Sequence, residues 1–587
     1  MAVRFSGVPT ASRHLRELKQ DRRRIERLTP RPLPVAITRV DRLDAILVGN
    51  SRLGFGLRRP DGHRKPPSPR NGPRQSYYSG LPGPCALMVS VEMRKQAVSE
   101  DVQAEPAHPS LTHELGLPLV IDLDGTLIST DALHESLLIF LKRQASEAWK
   151  IPFWIFSGRA VVKRRLAEVV TDQDAETFPV NDDLVGVARR EAGRGRRIVL
   201  ATAADVSIAE KIQRRFSFID QIIASTGGRN LKGAAKAEEV SARFPGGFIY
   251  AGDSAADLHV WSKATAAIFV GHSASMEGKI AARTSVAAVL PTKLLDFPTL
   301  RRSLRLHQWA KNALVFVPLV LGGKAGDPMA WLHALGGFVA LSLLASATYL
   351  LNDLWDLTED RRHWTKKNRP LASGDLSIAV AILMMTFGGL VAFGLAALIG
   401  TGCFLTLAIY LVVSLAYSFR LKREPIVDVF VLASMFTMRL ALGLVVANVV
   451  FSPWLFVFSM FIFLSLSAAK RQTEIIRMVS HGLTDVPGRG YRAGDAPLVL
   501  ALGVGAMLAT VLIMVIYLVQ DAFPQNFYKH PYFLWGFPMI ILLWLARIWL
   551  LCNRGELNDD PVAFALKDRL SVAYGAVMAL LFAAALI

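Results

Sequence analysis

Cysteine is nearly missing from this chain. Its 587 residues hold three, Cys85, Cys403 and Cys552, at no paired spacing, which excludes a disulfide framework and a thiolate zinc site. The first 110 residues lack sustained hydrophobic periodicity and are rich in Arg, Pro, Gly and Ser, so they offer too little apolar surface for a core. No basic start followed by an apolar run and a cleavage site opens the sequence, so no secretory leader is expected. The Arg-rich, acid-poor composition suits a mitochondrial presequence, but its prolines interrupt any clean amphipathic helix. Residues 1–115 are therefore expected to be a disordered basic tail, with Met88 and Met93 as alternative starts. Acidic residues are the scarcer charge, 48 against 67 Lys and Arg, for a net +19. Most of that excess lies in the first ninety residues, so no nucleic-acid partner is expected.

Long apolar runs are also missing before Ala310, and after it they dominate, raising the hydrophobic fraction to 52%. Nine stretches suit bilayer spans, approximately 308–325 (short), 329–351, 376–398, 403–419, 427–450, 454–469, 496–519, 532–552 and 570–587. They define an all-α membrane domain, 308–587. A linker and interfacial segment, 286–307, leads into it, with basic residues, Leu and Trp at helical spacing over 300–312. Cations gather after the second span (Arg361, Arg362, Lys366, Lys367, Arg369) and the fourth (Arg420, Lys422, Arg423). They gather again after the sixth (Lys470, Arg471, Arg477, Arg489, Arg492) and the eighth (Arg554, Lys567, Arg569). The opposite loops offer little beyond Lys324 and Lys529. By the positive-inside rule these loops and the preceding soluble domain face the cytoplasm, and the C-terminus lies outside. The expected location is the inner (cytoplasmic) membrane.

Between tail and linker, residues 116–285 alternate short apolar strands with helical patterns, which implies a parallel α/β sheet. The expected strands are Leu117–Ile121, Ile198–Ala201, Gln221–Ala224, Phe248–Ala251 and Ala266–Val270, with polar residues following their carboxyl ends, where such sheets bind ligands. Residues 130–195 read as a mainly helical cap. Its Pro152-Phe153-Trp154-Ile155-Phe156 run either touches a bilayer or forms cap core, with core favoured.

Asp122-Leu123-Asp124-Gly125-Thr126 follows the first strand, Thr202 the second, Lys232 lies in Asn230-Leu231-Lys232-Gly233, and Gly252-Asp253-Ser254-Ala255-Ala256-Asp257 follows the fourth. In that order they resemble the haloacid-dehalogenase-like (HAD) phosphatases. The resemblance implies that Asp122 forms an aspartyl-phosphate and Asp124 is the general acid/base, with Thr202 and Lys232 holding phosphoryl oxygens. Asp122, Asp124 and Asp253 would hold one Mg²⁺, with Asp257 binding through water or supporting the site. The chemistry needs such groups, because a carboxylate attacking an anionic phosphate requires charge neutralisation.

The segment Asn352-Asp353-Leu354-Trp355-Asp356-Leu357-Thr358-Glu359-Asp360 follows the second apolar run. Asp353, Asp356 and Asp360 fall at i, i+3 and i+7, one face of a helix. They repel one another and are costly near lipid unless neutralised, and Mg²⁺ binds through one or two carboxylates plus substrate phosphates. The segment reads as a Mg²⁺-diphosphate site at a membrane surface, or more blandly as a solvated acidic loop.

Nine spans with this motif after the second resemble the UbiA superfamily of intramembrane prenyltransferases over residues 300–587. Gln308–Asn312, Asn368–Gly374, Tyr417–Lys422 with Asp428, and Asp560-Pro561-Val562 before Lys567-Asp568-Arg569 bring the resemblance nearest to the decaprenyl-phosphate phosphoribosyltransferases. Where aromatic prenyltransferases carry a second aspartate motif after span six, this chain reads Ala469-Lys470-Arg471-Gln472-Thr473-Glu474. A basic second site suits an additional substrate phosphate.

The branch implies transfer of 5-phosphoribosyl from phosphoribosyl diphosphate to the phosphate oxygen of a polyprenyl phosphate. Asp353 and Asp356 are then catalytic, binding one or more Mg²⁺ with Asp360 close by. Asn352, Lys366, Arg369, Lys422, Lys470 and Arg471 would contact substrate. Tyr417 either hydrogen-bonds the sugar or anchors at the interface, and Arg439 faces a cavity or pairs with Asp428. The fused phosphatase is expected to remove the 5-phosphate of the lipid-linked product, giving a pentose donor for the cell envelope. Rival readings are an aromatic-acceptor prenyltransferase with an unrelated phosphatase, and a non-enzymatic anchor with a binding domain.

Overall fold

The computed structural model describes residues 116–587 apart from 227–228, 294, 364, 483, 487–488, 525–526, 558–560 and 566. The expectations for the tail and for Asp560 lie outside the described residues.

Six strands build one all-parallel sheet: β1 (Leu119–Ile121), β2 (Ile198–Asp205), β3 (Gln221–Ser225), β4 (Ile249–Gly252), β5 (Ala266–Val270) and β6 (Ser285–Leu290), in the order β3-β2-β1-β4-β5-β6. Alternate residues go to opposite faces, as the strand pleat requires. Leu119, Ile121, Ile198, Leu200, Ile249 and Ala251 join one core, while Val120, Val199, Ala201 and Tyr250 join another. Both faces are apolar because helices cover both. In this order β1 lies between β2 and β4, and the crevice at such a reversal is where open α/β sheets place ligands. The sixth strand extends the α/β unit to Leu290, beyond the expected boundary at residue 285. Two helices frame the crevice. Helix α1 (Ala132–Arg143) is N-capped by Asp131, whose carboxylate accepts from Leu133 N and His134 N, and α2 (Ala234–Arg243) follows Gly233.

Eight helices among the described residues are long and apolar enough to cross a membrane. They are α3 (Pro328–Trp355), α4 (Ile378–Ile399), α5 (Thr401–Phe419), α6 (Val427–Val446), α7 (Pro453–Ser480), α8 (Ala496–Tyr517), α9 (Gly536–Asn553) and α10 (Arg569–Leu586). Polar caps mark their starts: Asp327 accepts from Met329 N, Ser377 from Val380 N and Ser452 from Leu455 N. Where a first span is expected, Leu306–Phe316 is a 3-10 helix continued by the short α-helix Val317–Leu321. It runs antiparallel to α3: Arg305 meets Asp353, Trp309 Nε1 donates to Ser346 Oγ (3.0 Å), Asn312 to Ser342 Oγ (2.9 Å), and Phe316 stacks on Trp331. The tighter helix is too short in residues to count with the other eight. At about 2.0 Å per 3-10 residue and 1.5 Å per α residue it still reaches roughly 30 Å.

Helix α7 also departs from expectation. Its 28 residues reach roughly 42 Å at 1.5 Å each, well beyond a bilayer's hydrocarbon core. Ala469–Glu474 therefore lies within a continuous helix, not in a loop after span six.

Candidate functional site

Two carboxylate clusters stand out. In the α/β unit, β1 delivers Asp122 and β4 delivers Asp253 to adjacent strand ends. Asp122, Asp253 and Asp257 place one oxygen each within 4.8 Å of one another. Gly125 takes φ +74, and a methyl group there would collide with the Asp253 carboxylate. Glycine therefore serves both the turn and the space beside that carboxylate. Thr126 Oγ1 donates to Asp253 (3.3 Å), and buried Thr202 turns its hydroxyl oxygen to Ala204 N (2.9 Å).

The lysine that reaches this cluster is Lys236, not Lys232. Lys236 Nζ, buried on the first turn of α2, donates to Asp122 (2.8 Å), to Tyr250 OH (3.0 Å) and to Asp257 (3.3 Å). Lys232 is exposed on the preceding loop. A Lys-x-x-x-Lys pair leaves the choice open until the helix start is known, and Ala234 is where it starts. Tyr250, which donates to Asp257 (2.7 Å), has no counterpart among the expected residues.

Burial, with Lys236 pulling the other way and Asp257 adding to it, pushes the Asp122 carboxyl up to about 6. Burial with the negative charge of Asp122 and Asp257 pushes Asp253 to about 7. Three crowded carboxylates against one lysine are an oxygen-donor set suited to a hard divalent cation. Asp124 stands apart from the three: its carboxylate accepts from Ala132 N (2.8 Å), and burial with the charge of Asp131 raises it to about 7. Lys163, from the helix Arg159–Ala167, donates to Ala203 O (2.6 Å); burial lowers its pKa while Asp124 and Asp131 oppose that.

The second cluster lies where α3 ends. Asp356 caps α3, and Leu357–Arg362 continues as a short helix. Asp353 is held by Arg305 and by Arg369 (2.9 Å), and the same guanidinium reaches Asp360 (2.5 Å). Lys366 is 3.9 Å from Asp360. Burial raises the Asp360 carboxyl against the pull of Arg369 and Lys366. Lys422 Nζ bridges Asp356 (2.6 Å) and Asn352 Oδ1 (3.2 Å). The motif and its expected cations thus meet in two ion-pair groups, Asp353 and Asp360 on Arg369, and Asp356 with Asn352 on Lys422. The carboxylates are hard-cation donors, but each is now matched by Arg or Lys.

Two of the expected substrate residues, Arg471 and Tyr417, have partners within the protein. Arg471 is fully buried, paired with Asp428 (2.6 Å) and Glu474, while Tyr491 OH donates to Asp428 (2.6 Å). It cross-links α7 to α6 and has its charge satisfied there. Lys470, beside it, is half-buried one turn before Glu474. Tyr417 OH accepts from Arg489 (2.8 Å), so this tyrosine is tied to the loop after α7. Arg439 does not pair with Asp428: it donates to Asn312 Oδ1 (2.9 Å) and lies over the Tyr410 and Phe436 rings.

The two clusters are joined through protein. Arg361, on the short helix after Asp356, makes a buried two-pronged ion pair with Glu135 of α1 (2.6 and 3.0 Å). Glu135 also accepts from Thr130 (2.7 Å), six residues after Asp124. Gly374 (φ +83) lies so close to Ser129 and Pro179 that a Cβ would sit 3.0 Å from the Ser129 backbone oxygen.

The pattern of the UbiA prenyltransferase family matches residues 313–569. Decaprenyl-phosphate phosphoribosyltransferase of Corynebacterium glutamicum is 31% identical over 242 residues, 40% of this chain and 67% of that enzyme. The chain belongs to the UbiA prenyltransferase family. It is thereby a multi-pass membrane protein of a transferase family. A UbiA-family relationship does not account for the α/β unit, but "Uncharacterized protein y4nM" of Sinorhizobium fredii is 42% identical over 475 residues, 80% of this chain and 91% of its own length. That alignment is longer than everything after residue 307, so it takes in α/β residues too. Among solved structures, a UbiA homolog from Archaeoglobus fulgidus bound to GPP and Mg²⁺ is 17% identical, covering 49% of this chain and 98% of that one at a TM-score of 0.39.

Proposed function

We propose that this UbiA-family protein transfers a 5-phosphoribosyl group from phosphoribosyl diphosphate to a polyprenyl phosphate. The α/β unit, a HAD-like phosphatase, then removes the 5-phosphate of the lipid-linked product. Both sites face the cytoplasm from the inner membrane. The observation that supports the reading is the buried Arg361–Glu135 ion pair, which docks α1 of the α/β unit on the short helix that also carries Asp360. Leu306–Leu321 then serves as a ninth pass: entering beside Asp353 and running antiparallel to α3, it lets the α/β unit and the end of α3 share a side. The similarity to decaprenyl-phosphate phosphoribosyltransferase supports the substrates, and the cationic loops after α3 and α5 support the orientation.

In the membrane site, Arg369 and Lys422 are the cations that would exchange their carboxylate partners for phosphate oxygens as substrate enters. Mg²⁺ held by Asp353 and Asp356 would supply Lewis-acid stabilisation of the leaving diphosphate. In the α/β site, Asp122 attacks phosphorus and the ester P–O bond breaks. Asp124, with its pKa raised to about 7, retains a proton near neutrality and delivers it to the leaving alkoxide; it then takes a proton from the water that hydrolyses the Asp122 acyl phosphate to inorganic phosphate, which frees Asp122 and restores Asp124. Lys236 and the Thr202 region hold the phosphoryl oxygens, and Asp122, Asp253 and Asp257 would hold Mg²⁺, which screens their mutual charge.

The test is mass spectrometry of lipids after incubating the protein with phosphoribosyl diphosphate, Mg²⁺ and polyprenyl phosphate. Wild type should yield a ribosylated lipid, and Asp353→Asn should yield none while its phosphatase activity persists. Absence of any ribosylated lipid from wild type sinks the assignment and leaves transfer of a prenyl chain to an aromatic acceptor.

A further inference from the structure

The cap of the α/β unit carries an apolar surface that the proposed chemistry does not use. After α1 the chain forms a 3-10 turn, Ala145–Lys150, and a short helix, Ile151–Phe156. Trp154 turns inward onto Phe140 of α1, with ring centroids 5.4 Å apart. Its neighbours do the opposite. Trp149 is 65% exposed, Phe153 62%, Ile155 61% and Phe156 91%. The Pro152–Phe156 run, expected to be cap core, is therefore not core: Trp154 is half-buried against Phe140 and the other four are exposed. Large aromatics projecting together are a binding surface, not the scattered apolar exposure of an ordinary monomer.

Position and charge both say what covers it. Glu135, Leu138 and Lys142 fall at i, i+3 and i+7 on α1, one face of the helix. Glu135 binds Arg361, Leu138 packs against the apolar cluster that includes Leu350, Leu354 and Ile378, and Lys142 binds Glu359. That face rests on the membrane domain from its first turn to its last, so the chain leaves α1 at the level of the bundle's end. There α4 begins to present Leu383, Phe387 and Leu390, all largely exposed as lipid-facing residues are. Around the aromatic tip, Lys150, Arg159, Arg164 and Arg165 outnumber Glu147 and Glu168, and Lys150 lies over the Trp149 ring. Aromatics at the tip with cations behind them are the arrangement of an element lying in the interface of an anionic bilayer.

We propose that Trp149, Phe153, Ile155 and Phe156 insert into the bilayer interface beside α4, anchoring the α/β unit to anionic lipid. The helix Arg159–Ala167, which leaves the tip, carries Lys163 to the edge of Asp124. The α/β site consequently opens at headgroup level, and its substrate is a phosphate borne on a lipid. This second statement rests on the phosphatase reading; the insertion does not.

The test uses the full chain with Cys85 replaced by Ser; Cys403 and Cys552 are buried. A nitroxide label is placed on Phe156→Cys, or on Lys263→Cys as an exposed control, in liposomes of phosphatidylethanolamine and phosphatidylglycerol. At position 156 the label should be several-fold more accessible to oxygen, relative to a water-soluble nickel chelate, than at 263. Equal ratios at the two positions overturn insertion, and so does a label at 156 shielded from both reagents, which would mean cover by protein. The Trp149→Ser/Phe153→Ser/Phe156→Ser variant should lose most hydrolysis of the lipid-linked phosphate but keep hydrolysis of p-nitrophenyl phosphate. If insertion is found and the lipid-linked phosphate is untouched even by wild type, the substrate statement falls while the anchor stands.

Discussion

Asp122, Asp253 and Asp257 crowd three carboxylates around one lysine, and the consequences can be worked out group by group. Asp253 is raised from 3.8 to about 7 by burial and its acidic neighbours. A carboxyl raised on folding binds more protons in the folded state, so between about pH 4 and pH 7 stability falls as pH rises. The penalty is full above about 7 and absent below the unfolded value. A divalent cation binds the ionised form, so Mg²⁺ should slow hydrogen exchange in β1 and β4 more at about pH 8 than at about pH 5. Asp253→Asn should erase that difference; an Mg²⁺ effect equal at both values would place the ion elsewhere. Lys236 supplies a sharper comparison. Lys236→Met removes the only ammonium bonded to Asp122 among the described residues and should lower phosphatase turnover by orders of magnitude. Lys232→Met should stay close to wild type in the same assay. The residue types and their order are legible in the sequence, since Asp122 and Asp253 directly follow β1 and β4 as expected, with Asp124 two residues further on; Thr202 instead lies inside β2, which runs on to Asp205. Which of two lysines points inward is not legible, because four residues of loop and helix start decide it.

At the scale of elements, long apolar periods were easy to read and short or amphipathic ones were not. Seven of the eight long helices lie close to the expected spans. The eighth, α7, runs on past the expected span, which ends at residue 469 where Lys470 and Arg471 follow. The helix continues because Arg471 finds Asp428 and Glu474 and so enters the packed interior as a neutralised group. Strand β6 is not among the expected strands because Ser285–Leu290 is an edge strand with adjacent alanines at its buried positions, a weak period-2 signal. The α7 cross-link gives a prediction at this scale. Arg471→Leu strands two carboxylates in a buried site and should cost about 3–5 kcal/mol, as removal of one partner from a buried ion pair generally does. Thermal unfolding in detergent should show the loss, with Asp428→Asn in the same chain recovering part of it. Lys470→Gln should leave the unfolding temperature unchanged. A stable Arg471→Leu protein that has lost only transfer would return this arginine to the substrate.

For the whole molecule the question is whether two sites in one chain act on one substrate. Arg361 and Glu135 are nearly dry and satisfy each other, and Thr130, bonded to Glu135, sits in the loop that leads from Asp124 into α1. The short helix that carries Arg361 also carries Asp360. On the proposed function, a product formed at the membrane cluster would be released into a unit docked on the same short helix, at an effective concentration fixed by the docking and not by diffusion in the cell. Asp122→Asn removes the proposed nucleophile while leaving the membrane cluster untouched. Transfer should continue in this variant, and the lipid should accumulate with its 5-phosphate attached, whereas wild type should give mainly dephosphorylated lipid-linked ribose. Arg361→Met should fall between these two. Its phosphatase retains every group around Asp122, so hydrolysis of p-nitrophenyl phosphate should persist, but Glu135 is left buried without its partner and the docking loosens. Phosphorylated lipid should then appear transiently before it is consumed. Weighing the lipids of all three proteins over a time course decides the matter. If wild type and Asp122→Asn give the same phosphorylated lipid, the α/β unit acts on another substrate. If Arg361→Met matches wild type at every time point, the two sites work in sequence without needing to be held together.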